Sequence, residues 1–207
     1  LSGAGTDAPN PNVKTISLEE LLGGGAPPKE PELRVIGLYS SVEDEKIAEL
    51  TQALLYLNEM NRLLPEGEKK KPVEFYINTY GGSADDMFAL YDVMQVIMEE
   101  TEIHTIGVGK VMSAGTLLLA AGTKGKRKIG KNCRVMIHNV AAGNFGTLPN
   151  LTNELEAIQT LQEDYITAMV ENTKFTRKKL EKLLNEKVNI YLSAEEAVKY
   201  GLADEIM

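Results

Sequence analysis

The chain has 207 residues, 43% of them hydrophobic, with 30 Asp and Glu against 22 Lys and Arg and a net charge of −8; that is one ordinary domain with a substantial core and room for a small appended element. The acidic balance argues against a nucleic-acid partner, and the single cysteine, Cys133, excludes an internal disulfide framework and fits a reducing, cytoplasmic setting. No apolar run approaches the ~18 residues that would span a bilayer, and the first residues lack the basic-then-apolar order of a secretory signal, so no membrane association is expected.

Residues 1–33 are rich in Gly and Pro and read as a flexible arm, with one short helical candidate opening on a capping box from Ser17 to Glu20. The domain proper then runs over residues 34–207. Leu33 to Tyr39 is a short apolar strand, and Ile47, Leu50, Ala53, Leu54 and Leu57 repeat at helical spacing within a helix predicted from Val42 to Leu57. Lys70 to Asn78 is a second strand, Ala84 to Met98 a second helix with Met87, Leu90, Tyr91, Met94 and Ile97 on one face, and Ile103 to Val108 a third strand. Val111 to Ala121 reads as a buried helix, Arg134 to Asn139 as a strand and Leu151 to Asn172 as a long amphipathic helix with a first-turn proline, Pro149, near its start. Repeated strand and helix units with short links imply an α/β fold with mostly parallel strands. Lys69 to Lys71 and Lys124 to Lys131 read as solvated loops, and Cys133 as a small buried side chain.

Three segments carry candidate chemistry. In Gly109 to Gly122, GKVMSAGTLLLAAG, one serine, Ser113, sits between small residues just before a near-continuous apolar run. It reads either as a helix N-cap or as a nucleophile that needs a base to take its proton. Arg134-Val-Met-Ile-His138 ends a short strand on one of only two histidines, and that histidine is either a satisfied polar residue or the base. Tyr76-Ile-Asn-Thr-Tyr-Gly-Gly-Ser83 runs a strand into a glycine pair whose backbone amides can face an anion. The other histidine, His104, lies inside an apolar strand away from these motifs and reads as structural. Asp85 and Asp86 are acids in the first turn of a helix.

Together with Tyr191-Leu-Ser-Ala-Glu-Glu-Ala197 and Tyr200-Gly-Leu-Ala-Asp204, these segments resemble the proteolytic subunit of the Clp protease family over most of the chain, from about Val35 to Ile206. The resemblance implies an α/β spiral of ββα units, shared by the Clp peptidases and the crotonase-like enzymes, with a protruding strand–helix handle over about 140–172. It implies a serine endopeptidase with Ser113 as nucleophile, His138 as base, and the N–H groups of Gly82 and Ala114 as oxyanion hole. An extended substrate would pair along Ser83 and Ala84 on one side and Asn139 and Val140 on the other. The family's triad aspartate aligns with Asn189, after a two-residue insertion; a shifted register offers Glu186 instead. The resemblance also implies heptameric rings stacked as a tetradecamer that receives unfolded polypeptides from an ATP-driven AAA+ unfoldase, so no cofactor or metal is expected on this chain. The apolar surplus of the long helix, including Leu155, Ile158 and Leu161, agrees with burial against another subunit. Two alternatives stay open: a weakly active or non-catalytic subunit of a mixed complex, motivated by Asn189, and an acyl-thioester enzyme of the crotonase-like type.

Overall fold

A computed structural model describes residues 32–143 and 145–207. The Ser17 capping box and nearly all of the expected N-terminal arm lie outside the described residues. Residues Arg34–Met207 form one unit.

Strand β1 (Val35–Leu38) leads into helix α1 (Asp44–Arg62), whose Ile47, Leu50, Leu54 and Leu57 are buried along one stripe while Asp44 and Glu45 occupy the first turn. Strand β2 (Val73–Thr79) alternates buried and half-exposed positions and passes through a glycine turn into helix α2 (Ala84–Ile97), capped by Ser83, whose hydroxyl accepts from Asp86 N–H at 3.2 Å. Strand β3 (Ile103–Met112) is the longest, and it turns at Ser113 into helix α3 (Ala114–Ala120), every residue of which is buried. Strands β4 (Lys128–Ile129) and β5 (Arg134–Ile137) follow, then helix α4 (Leu148–Asn172), helix α5 (Arg177–Glu186), strand β6 (Ile190–Leu192), helix α6 (Ala194–Lys199) with a Ser193–Glu196 capping box, and strand β7 (Glu205–Ile206).

The strands make one seven-stranded sheet. The pairs β1–β2, β2–β3, β3–β4 and β4–β7 are parallel, and β3 also pairs β5 in parallel through Lys110, Val111 and Met112. Among the described strand pairs only β5–β6 is antiparallel. Strand β3 therefore serves two partners in succession, β4 with its first half and β5 with its second. The switch falls at Gly109, which has a φ of 64°, a left-handed conformation that an L side chain adopts only under strain. The layered α/β architecture with a parallel sheet is the one expected, and the strand and helix order agrees up to α3; β4 then falls in a run read as a loop.

The structure departs from the sequence reading in several places. The helix expected from Val111 starts at Ala114, because Val111 and Met112 are claimed by the β5 ladder and extend β3 past Val108. Helix α4 starts at Leu148, with Pro149 in its first turn. No strand forms between Ile137 and Leu148 among the described residues, although the handle was expected to contain one; the segment has no ladder partner within the chain. The run Lys124 to Lys131 is not wholly a solvated loop, since Arg127 is 4% exposed. Its guanidinium grips Asp204 through Nε at 2.9 Å and Nη2 at 2.7 Å and caps the carbonyls of Ala120 at 2.9 Å and Asn172 at 2.6 Å. Cys133 is buried, and burial pushes its thiol up to about 11, as suits an inert core cysteine.

Burial alone would raise the Asp204 carboxyl, but the Arg127 side chain and backbone and the Gly125 N–H outweigh it and hold the group at about 2, below its ordinary 3.8. A depressed carboxyl contributes stability that is present above pH 3.8 and is lost as pH falls toward 2. Asp204→Ala strands a buried guanidinium and is expected to cost about 3 kcal/mol. Denaturant unfolding at neutral pH and at pH 2 reads both effects: the gap between wild type and variant closes in acid.

Candidate active site

The parallel ladder delivers Ser113 to the end of β3, and its N–H donates to Met136 O at 2.8 Å, one rung before β5 ends. Two residues beyond Met136 the chain reaches His138, and its Nε2 lies 2.7 Å from Ser113 Oγ. Two side chains 25 residues apart in sequence are therefore brought to hydrogen-bond distance by register alone. Ser113 sits at φ 53° and ψ −125°, and it is the only non-glycine residue with positive φ among those described. It makes no side-chain N-cap hydrogen bond. A serine held in that strained strand-to-helix turn projects its hydroxyl clear of the helix, the geometry of a nucleophile elbow.

The glycine turn lies against the same point. Gly81 has a φ of 100°, and a Cβ there would stand 2.5 Å from Ser113 Cβ and 3.1 Å from Ala114 N. At Gly82 a Cβ would stand 2.1 Å from Val42 O, so neither position has room for a side chain. Thr79 fixes the turn by accepting from Gly81 N–H at 3.0 Å and donating to Ser40 O at 2.6 Å. The Gly82 N–H makes no hydrogen bond among the described residues, and Ala114 is the first residue of α3, whose N–H has no partner inside the helix. Gly82, Ser113, Ala114 and His138 all line one cleft of about 870 Å³, whose far wall is helix α4 through Ile158, Leu161 and Tyr165. The charged residues of that lining are Asp85, Glu154 and Asp164. No Lys or Arg is among the residues that line the cleft, and the positive groups closest to the Ser113 turn are main-chain N–H groups.

The remaining predicted residues are placed as follows. Ser83, Ala84, Asn139 and Val140 line the cleft, but several of their polar groups are already committed. The Ser83 hydroxyl caps α2; Val140 N–H donates to Gln162 Oε1 at 2.7 Å; Asn139 donates through Nδ2 to Leu184 O at 3.0 Å and accepts from Gln162 Nε2 at 3.0 Å. Asn189 is exposed, one residue before β6. The antiparallel ladder ends with Ile137 paired to Ile190; His138 and Asn189 are the residues next to that last pair, and no hydrogen bond joins the two among the described residues. Glu186 ends α5 and faces Lys182 at 3.7 Å. His104 pairs with Glu102 at 2.8 Å, away from the cleft.

Gln162 was not singled out from the sequence, yet a signal existed. It is the one polar residue on the α4 stripe formed by Ile158, Leu161, Tyr165, Ile166 and Met169, and a polar group there must find partners.

The family model described as Clp protease matches residues 31–207. The chain belongs to the Clp protease family. It is 34% identical to the ATP-dependent Clp protease proteolytic subunit of Deinococcus radiodurans, over 84% of this chain and 80% of that protein. The same identity and share of this chain hold for an ATP-dependent Clp protease proteolytic subunit 1 of Prochlorococcus marinus subsp. pastoris, covering 89% of it, and for one of Leifsonia xyli subsp. xyli, covering 82%. Membership makes this a Clp-type serine endopeptidase subunit and removes the acyl-thioester reading.

Burial lowers the His138 pKa below its ordinary value. A histidine that serves as general base must be neutral, so for His138 in that role a lowered pKa extends activity to lower pH. The acid limb of kcat/KM for a fluorogenic peptide is therefore expected below pH 6.5, and a limb above that value contradicts His138 as the titrating base in this environment.

Proposed function

We propose that this Clp-type subunit cleaves peptide bonds with Ser113 as nucleophile and His138 as general base. The observation that carries this reading is the 2.7 Å contact between Ser113 Oγ and His138 Nε2 at a strained turn flanked by the Gly82 and Ala114 N–H groups. In the first step His138 Nε2 takes the Ser113 proton as Oγ attacks the carbonyl carbon. The oxyanion is held by Gly82 and Ala114, each such donor being worth ~10²–10³ in rate. The imidazolium returns its proton to the leaving amine, and a water repeats the sequence in reverse roles on the acyl-enzyme. The substrate lies extended between the segment after Gly82 and the segment after His138, held mostly by main-chain contacts, so that many sequences are accepted.

The proposal extends to assembly. The first half of α4 leaves Leu148, Leu151 and Leu155 exposed at 78%, 38% and 56%, and an apolar stripe of that kind calls for a partner surface. We assign it to a second copy across a double ring of two heptamers, a tetradecamer. ATP is spent by an AAA+ unfoldase that feeds polypeptides to this chamber in the cytoplasm, and this chain needs no cofactor or metal of its own. Among the described residues no helix is long and apolar enough to cross a membrane.

Asn189 favours a second reading of the same site, a weakly active or silent subunit in a mixed ring. An amide can orient His138 but offers no charge to the imidazolium, and replacing the triad aspartate by asparagine in a chymotrypsin-type protease costs ~10⁴ in turnover. Labelling by a serine-directed fluorophosphonate separates the two. Label confined to Ser113 and lost in Ser113→Ala is the expected result. No label on the wild type, restored by Asn189→Asp, establishes the silent subunit. Asn189→Asp is further expected to raise peptide turnover at least about tenfold, and no rise removes Asn189 from the triad.

A further inference from the structure

The nucleophile turn contains a polar chain that the reaction scheme above does not use. Thr116 is buried in the first turn of α3, and its Oγ1 lies 2.6 Å from Ser113 O, while Thr116 N–H donates to the same carbonyl at 2.9 Å. The phenolic oxygen of Tyr165, reaching in from α4 and 4% exposed, lies 2.9 Å from Thr116 Oγ1. The direction of this chain follows from valence. The Ser113 carbonyl has no proton to give, so the single Thr116 hydroxyl proton goes to it, and the Thr116 oxygen is left to accept from Tyr165. Burial pushes the Tyr165 hydroxyl up to about 12, only partly countered by the bond to Thr116, so the phenol keeps its proton over the working range.

The Ser113 carbonyl belongs to the same peptide unit as the Ala114 N–H. A hydrogen bond to an amide oxygen draws electron density from the nitrogen and makes its N–H a stronger donor; such polarisation adds roughly 10–30% per bond. Here the oxygen receives two bonds at once. On the reading of Ala114 as an oxyanion donor, we propose that Thr116 and Tyr165 are positioning residues that polarise the Ser113–Ala114 peptide and strengthen the Ala114 N–H toward the oxyanion. The gain is larger for a full negative charge than for a neutral carbonyl, so it acts on the transition state and on kcat rather than on substrate binding. Neither residue touches substrate for this purpose.

The test uses the full-length assembled protein with a fluorogenic peptide and a peptide boronate, whose tetrahedral adduct on Ser113 places an oxygen in the hole. Thr116→Val keeps shape and burial but removes the hydroxyl, and is expected to lower kcat about three- to tenfold with KM unchanged. Boronate affinity should fall by the same factor. Thr116→Ser restores the hydroxyl and should stay within about twofold of wild type. Tyr165→Phe should lower kcat about twofold alone and add nothing in the Thr116→Val background, because its effect passes through the Thr116 oxygen. A Thr116→Val enzyme with unchanged kcat, or one that loses KM or thermal stability alone, overturns the inference. So does an independent loss from Tyr165→Phe in the double variant. Ser113→Ala run in parallel separates the two levels: hydrolysis that survives it defeats the Ser113 mechanism and this inference with it, whereas a dead Ser113→Ala beside a fully active Thr116→Val defeats the inference only.

Discussion

The strained conformation of Ser113 is the constraint around which the rest of the site is arranged. A non-glycine residue at φ 53° and ψ −125° is unfavourable by about 1–3 kcal/mol and persists only because each of its polar groups is tied. Its N–H is held by β5, its carbonyl by Thr116 and its hydroxyl by His138. The burial of α3 supplies the opposing energy. Leu117, Leu118 and Leu119 are completely buried, and each contributes about 1.5–3 kcal/mol by leaving water. The same turn demands a bare backbone across from it, which is why Gly81 has no space for a Cβ. Strain, burial and close approach of the glycine turn are thus one arrangement, and a serine hydroxyl held beside main-chain N–H groups is its chemical consequence.

Arg127 and Asp204 secure the far end of that arrangement. Helices α3 and α4 finish with unpaired carbonyls, as helices must, and those of Ala120 and Asn172 both point at the Arg127 guanidinium. A cation at two helix C-termini is favoured by both dipoles, and Asp204 balances its charge from the last segment of the chain. The C-terminal strand β7 is then laid on β4. Helix α4 is thereby anchored at its C-terminal end, by Arg127 and by Tyr165, Ile166 and Met169 in the core, while its other end stands out from the core. The wall of the cleft and the exposed stripe are thus parts of one helix.

Much of this was legible in the sequence, for reasons that differ from element to element. Stripes of period 3.6 marked α1, α2 and α4 because each buries a single face. The β3 to α3 boundary was not legible, since Val111 and Met112 fit a buried helix as well as a strand and only pairing with β5 decides. Two-residue strands such as β4 and β7 carry no periodic signal at all. Ser113 and His138 were legible through motif spacing rather than local pattern, and their 2.7 Å contact depends on a ladder between distant segments. Arg127 was hidden in a run of lysines, and Thr116 in a run of apolar residues. A single polar residue inside an apolar stretch, like Gln162 on its stripe, marks a buried hydrogen bond whose partner only the fold supplies.

Asn189 sharpens how the remaining groups must share the work. In a Ser–His–Asp triad the carboxylate offsets the charge that the histidine acquires as the serine attacks. Here burial already disfavours the imidazolium, and in the proposed triad Asn189 offers only a neutral amide. A cysteine protease tolerates Asn because a thiolate is readily formed and pairs with the imidazolium; serine, with a far less acidic proton, has no such help. With Asn189 as the third member of the proposed triad, the barrier on the base side stands higher than in an aspartate triad. The oxyanion side is the one place where main-chain groups can be strengthened without adding a charge, and that is where Thr116 and Tyr165 converge. On the mechanism proposed for this site, transition-state stabilisation shifts from the imidazolium toward the oxyanion, and catalysis rests on the Ser113–Ala114 peptide more than on Asn189.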